Sequence, residues 1–136
     1  MEYGLLGEKL AHSFSPEIHA LIGDYDYKLV ELSKDKVEGF LKERDFKAIN
    51  VTIPYKQTVI PFLDFVSESA KAIGAVNTVV NADGKLYGYN TDFYGLKALI
   101  EREGVILNDK KVAILGSGGT SNTAFAVAKS MTQLSY

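Results

Sequence analysis

The stretch Asn50-Val51-Thr52-Ile53-Pro54-Tyr55-Lys56 decides the fold. With Ala48 and Ile49 before it, it opens as a short β-branched run in which Asn50 and Thr52 fall on one alternating face, the pattern of a buried strand with a polar side. Pro54 has no N–H to give a sheet ladder, so the strand is expected to stop there. Lys56 then lies just past a strand's carboxyl end, the edge at which open α/β sheets bind ligands. The residues alone allow a second reading, a buried strand followed by an ordinary solvated lysine.

Toward the amino terminus, residues 3–7 form a first strand and residues 8–14 a loop. The loop ends in Ser15-Pro16, a helix start with serine as N-cap and proline at the first helical position. Ile18, Leu21 and Ile22 make that helix's apolar face. Residues 27–32 are a second strand, and Ser33 caps a second helix whose apolar face is Val37, Phe40 and Leu41. This β-α-β-α-β order predicts parallel strands joined by right-handed crossovers. Toward the carboxyl terminus, residues 59–65 predict a short helical segment broken by Pro61, and a helix from Ser67 stops at Gly74. Residues 75–80 and 85–89 flank Asp83-Gly84, a pair suited to the positive φ of a tight hairpin turn. A helix begins at residues 90–92, where Asp92 would make a good N-cap; Leu96, Leu99 and Ile100 point inward and Gly104 ends it.

Residues 111–115 predict a buried strand, followed at once by Gly116-Ser117-Gly118-Gly119-Thr120-Ser121 and a helix carrying Ala124, Val127 and Ala128. Glycines between a strand and a helix let a pyrophosphate approach the helix N-terminus, whose free N–H groups and dipole favour an anion. Ser121 stands where the third glycine or alanine of such a fingerprint usually does. The fold class is therefore α/β: a mostly parallel open-sheet domain with flanking helices over residues 1–104, then the first β-α element of a Rossmann domain over residues 105–136. The residue that selects between a ribose hydroxyl and a 2′-phosphate is expected about 20 positions after the glycines, beyond Tyr136. The nucleotide domain is thus expected to be incomplete, with self-association through its exposed start.

Fifteen basic against seventeen acidic residues, without a basic run, argue against nucleic acid as a partner. The apolar stretches are far short of a bilayer span and the amino terminus has no signal-peptide pattern, so no membrane partner is expected and the cytoplasm is the default. With no cysteine and only His12 and His19 as imidazoles, no metal site is expected. His19 reads as a packing or surface residue of the first helix, and His12 as a loop residue.

Five stretches in order, His12-Ser13-Phe14-Ser15-Pro16, residues 50–56, Gly74-Ala75-Val76-Asn77-Thr78, Gly88-Tyr89-Asn90-Thr91-Asp92 and Gly116-Ser117-Gly118-Gly119, resemble the shikimate dehydrogenase family. The resemblance implies NADP-linked, reversible reduction of 3-dehydroshikimate to shikimate, on the route to chorismate and the aromatic amino acids. It also implies that Ser13 and Ser15 hold the substrate carboxylate, and that Asn50, Thr52, Asn77 and Asp92 bond the ring hydroxyls. Lys56 and Asp92 would be the catalytic pair, with Lys56 also touching substrate, and Gly116, Ser117, Gly118, Gly119 and Thr120 would bind NADP. Ser15 and Asp92 would serve equally as helix caps without any ligand. Lys9 and Ala20 stand near positions where the family commonly has proline and asparagine.

The chemistry asks for such a pair. Hydride delivery to a ketone leaves an alkoxide that must receive a proton. An ordinary lysine is protonated at neutral pH and a carboxylate neighbour favours that form, which makes lysine the natural acid of the reducing direction. Two alternatives stay open: a binding module that recognises shikimate-like polyols without turnover, and a quinate dehydrogenase of the same superfamily.

Overall fold

The computed structural model describes residues 1–132 of the chain. The strands are β1 (Tyr3–Gly7), β2 (Tyr27–Glu31), β3 (Ala48–Val51), β4 (Phe65–Val66), β5 (Thr78–Ala82) and β6 (Lys85–Tyr89). They form one sheet in the order β2-β1-β3-β5-β6-β4. The expected parallel start is present: Leu5 pairs with Leu29 on one side and with Asn50 on the other, both in parallel register. β4 also runs parallel to β6, whereas β5 is antiparallel to β3 and β6. The helices are α1 (Ser15–Ile22), α2 (Lys34–Glu43), α3 (Glu68–Ile73), α4 (Asp92–Arg102) and α5 (Gly119–Met131).

The pleat sends Leu6, Ile49, Val51, Val79 and Leu86 to one face, where they meet Val37 and Leu41 of α2 and Ala70 of α3 in a core closed to solvent. Tyr55 is wholly buried in the same core, and its hydroxyl donates to the Leu32 carbonyl at 2.6 Å. Burial holds its phenol above the ordinary tyrosine range. The turn that carries Lys56 is thereby fastened to the end of β2.

Local signals set several boundaries as expected. The Ser67 hydroxyl accepts from the Ala70 N–H, and Gly74 takes φ 73° to end α3. Asp83 and Gly84 take φ 52° and 74°, so both central residues of the β5–β6 turn are left-handed.

Elsewhere the structure corrects the sequence reading. β3 ends at Val51, before the proline: the Thr52 N–H still donates to Leu6 O of β1, but its carbonyl leaves the sheet to accept from Tyr55 N. The Ile53–Pro54 peptide is cis. Pro61 opens a one-turn 3-10 helix (Ile60–Phe62) instead of breaking one, consistent with a missing N–H costing nothing at a helix start, and β4 follows it. The N-cap of α1 is Phe14 and Ser15 is its first residue, without a side-chain cap bond. The face expected to point inward is open: Ile18, Leu21 and Ile22 are all exposed, since α1 packs chiefly on the edge strand β2. Asp92 is likewise inside α4, whose cap is Thr91, and no α4 residue is buried; Leu99 faces solvent. Residues 111–115 form no strand, and Val112, Ile114 and Leu115 are exposed. An extended segment becomes a strand only by pairing, and among the described residues none pairs with it. α5 does form, burying Thr123 and Val127 where Ala124, Val127 and Ala128 were expected.

Candidate active site

Lys56 and Asp92 meet. The Lys56 Nζ donates to Asp92 Oδ2 at 2.5 Å across 36 residues of sequence. Two devices, one of backbone and one of a side chain, make this possible. The Lys56 carbonyl accepts from Val76 N at 2.8 Å, tying the post-β3 turn to the approach of β5. Asn90, buried just before α4, donates its amide to Ala75 O and accepts from Phe93 N. That amide performs the capping expected of Asp92, which leaves the Asp92 carboxylate to face Lys56.

Asn77 supports the pair from β5's amino end. Its backbone is held between sheet neighbours, accepting from Val51 N and donating to Tyr89 O. Its side-chain Nδ2 donates to Asp92 Oδ1 at 2.9 Å and to Thr91 Oγ1 at 2.8 Å, and its Oδ1 accepts from Thr91 N and from Thr78 Oγ1. Asn50 reaches the same cluster, its Nδ2 lying 3.4 Å from Thr78 Oγ1. Its Oδ1 accepts from the Tyr27 hydroxyl at 2.8 Å. Of the predicted residues, Asn50, Lys56, Asn77 and Asp92 therefore lie on one hydrogen-bonded ridge.

Ser13, Ser15 and Thr52 line a separate, adjoining hollow with Leu5 and His12. The loop that carries Ser13 is held to β2, because Leu10 N donates to Glu31 Oε1 at 2.7 Å. Ser13 Oγ accepts from the Ser15 N–H. A Cβ on Gly7 would sit 2.8 Å from Thr52 Cγ2 and 2.5 Å from Leu10 Cδ2, so a larger residue there would have to displace the Leu10 and Thr52 side chains.

On its other flank Lys56 shares a cavity of about 320 Å³ with Ser117, Gly118, Gly119 and Thr120. α5 begins there with Gly118 as its cap and no side-chain cap bond, and added Cβ atoms at Gly118 or Gly119 would meet nothing within 4 Å. Open backbone at a thirteen-residue helix start suits a phosphate group. Gly116, with φ 121°, faces a neighbouring hollow beside Ile53 instead.

Sequence reasoning missed Tyr27, Thr78, Asn90, Thr91 and Glu31. Thr78, Asn90 and Thr91 sat inside the quoted stretches as neighbours of chosen residues. Tyr27 and Glu31 had only their place on an edge strand. His19, read as a packing or surface residue, stacks on the Tyr27 ring at 3.8 Å and 14°.

A profile described as the shikimate dehydrogenase substrate binding domain matches residues 5–79, more than half of the chain. The chain belongs to the shikimate dehydrogenase family. The shikimate dehydrogenase (NADP(+)) of Clostridium beijerinckii is 47% identical over 127 residues, covering 88% of this chain and 47% of that relative. The enzyme of the same description from Halothermothrix orenii is 43% identical over 134 residues, 91% of this chain and 46% of its own. Among solved structures, shikimate dehydrogenase 1 of Peptoclostridium difficile superposes with a TM-score of 0.88 at 40% identity, over 97% of this chain and 52% of that one. The shikimate 5-dehydrogenase of Thermus thermophilus, solved with NADP(H) and shikimate, gives 0.87 at 35% identity, over 97% and 53%. The chain spans about half the length of the curated relatives it matches. No helix of this family member, among the described residues, is long and apolar enough to cross a membrane.

Proposed function

We propose that this chain supplies the substrate half of an NADP-dependent shikimate dehydrogenase, an oxidoreductase that interconverts 3-dehydroshikimate and shikimate in the cytoplasm. The observation that carries the reading is the Lys56–Asp92 pair at 2.5 Å, set where the hydrogen-bonded ridge meets the cavity of the glycine turn. Residues 1–104 form the substrate domain in this reading, and residues 105–136 begin the nucleotide domain.

Ser13 and Ser15 receive the substrate carboxylate at the start of α1, while Asn50, Thr52, Asn77 and Asp92 bond its hydroxyls. In the reducing direction Lys56 Nζ gives a proton to the carbonyl oxygen as the carbonyl carbon gains hydride; in oxidation the hydroxyl proton returns to the pair. Asp92 holds the ammonium in place, and Asn77 holds Asp92. Ser117, Gly118, Gly119 and Thr120 would hold the dinucleotide's phosphates, with Gly116 shaping the turn; the dinucleotide supplies the hydride. Self-association through residues 112–115 belongs to the same reading, supported by the exposure of Val112, Ile114 and Leu115.

The test is a chimera in which residues 1–104 replace the matching half of the Clostridium beijerinckii enzyme. Shikimate-dependent NADPH formation that disappears with Lys56→Ala is the expected result. A folded chimera that binds no shikimate and reduces no 3-dehydroshikimate would overturn the reading, and preference for quinate would redirect it.

A further inference from the structure

The hydrogen bonds that link the ridge of polar side chains have a direction, and one carboxylate imposes it. An ionised carboxylate only accepts, so Asp92 Oδ1 must receive from Asn77 Nδ2 (2.9 Å). With its Nδ2 so committed, Asn77 offers Oδ1, and Thr78 Oγ1 must donate to it (3.0 Å). A hydroxyl has one proton, so toward Asn50 the Thr78 oxygen can only accept, and Asn50 must turn its Nδ2 to it (3.4 Å). Asn50 Oδ1 then faces the other way and needs a donor, which is the Tyr27 hydroxyl at 2.8 Å. The chain of bonds thus runs from Tyr27 to Asp92 with every polarity settled, leaving one Asn50 N–H uncommitted beside the hollow that Asn50 lines with Tyr27, His19 and Thr78.

Tyr27 is itself held in place. His19 of α1 stacks on its ring at 3.8 Å, and the His19 Nδ1 meets the Tyr25 hydroxyl at 2.7 Å. Tyr25 in turn packs edge-on against Tyr3 at 5.0 Å. The Ser15 hydroxyl lies close to the Tyr27 phenol.

We propose that Tyr27 is a positioning residue of the substrate pocket: its hydroxyl, fixed by the His19 stack, orients the Asn50 amide so that Asn50 donates an N–H to a substrate hydroxyl. This rests on the function proposed above. Without the phenol, Asn50 Oδ1 loses its donor and the amide is no longer held to one orientation.

Shikimate is titrated calorimetrically into the wild-type chain, Tyr27→Phe, Asn50→Ala and the double variant, with folding checked by circular dichroism. Tyr27→Phe keeps the ring and should weaken binding about threefold to tenfold, the range of one neutral hydrogen bond. In the Asn50→Ala background the same change should have no further effect, because Tyr27 acts through Asn50. Thr78→Val, which cuts the chain at its next link, should also weaken binding and serves if Tyr27→Phe does not fold. Wild-type affinity in Tyr27→Phe, or additive losses in the double variant, would overturn the proposal. If the wild-type chain binds no shikimate, the functional reading fails for it while the positioning claim is still decided by NMR of the ligand-free protein. There the Asn50 side-chain NH2 signals should shift in Tyr27→Phe; unchanged signals would reject it.

Discussion

Lys56 and Thr52 stand four residues apart, yet their replacements should be felt in different kinetic constants. The Lys56 ammonium is needed most as charge develops on the substrate oxygen, so in the chimera Lys56→Ala should lower kcat by ~10²–10⁴-fold with little change in KM. The Thr52 hydroxyl would bond substrate equally in ground and transition states, so Thr52→Val should act mainly on KM. Steady-state kinetics of the two variants decides this, and near-native kcat for Lys56→Ala would return Lys56 to an ordinary ion pair. Tyr27 gives a second prediction. Burial, opposed by the neighbouring Ser15 hydroxyl, pushes its pKa up to about 12. Since the folded state holds this proton more tightly than the unfolded one, the resulting stability is complete below about pH 10 and is lost as pH rises toward 12. Tyr27→Phe should flatten the fall in urea stability across that window, and an unchanged slope would reject the assignment. At this scale Asn50 and Lys56 were legible because a strand end advertises its polar groups, while Asn77 and Asp92 were reached through the stretches that resemble the family. The sequence could not reveal Tyr27, whose partner lies 23 positions away on another strand.

Among the elements, α4 depends on a residue two steps outside it. Asn90 is buried, donating to Ala75 O at 3.0 Å and accepting from Phe93 N at 3.3 Å, so it joins the turn before β5 to the first turn of α4. Asn90→Ala leaves a buried carbonyl and a helix N–H without these partners and should cost about 2–4 kcal/mol, measured by urea unfolding. A loss under about 0.5 kcal/mol, on the order of an exposed surface change, would show that water replaces both bonds. The same element explains where periodicity misled. Elements packed against α2 and α3 were largely legible: Ile49 and Val51 of β3, Val79 of β5 and Val37 and Leu41 of α2 are buried as marked, whereas Phe40 is half-buried and Ile53, past the end of β3, is exposed. α1 and α4 carry equally clear apolar stripes, yet Leu21 and Leu99 face solvent. A stripe announces that a helix face can be covered; what covers it is a tertiary matter that spacing does not encode. Residues 111–115 failed for a related reason, since β propensity without a ladder partner leaves an extended segment.

The whole molecule is asymmetric in how it treats apolar surface. One sheet face is sealed by α2 and α3, while Leu115 is almost fully exposed and Val112 and Ile114 are open beside it. Consecutive extended residues with unpaired backbone groups and β-branched side chains are a template for strand pairing. The occupant we expect is the same segment of a second copy, because identical strands can pair antiparallel about a two-fold axis and satisfy both backbones at once. The 136-residue chain should therefore sediment as a concentration-dependent mixture of monomer and dimer, and Leu115→Lys with Ile114→Lys should shift it toward monomer. The exposed α1 face, with Leu21 and Ile22, offers a competing surface. If Leu21→Lys dissolves the dimer and the double lysine variant does not, association runs through α1. A strictly monomeric wild-type chain at high concentration would reject association through either surface.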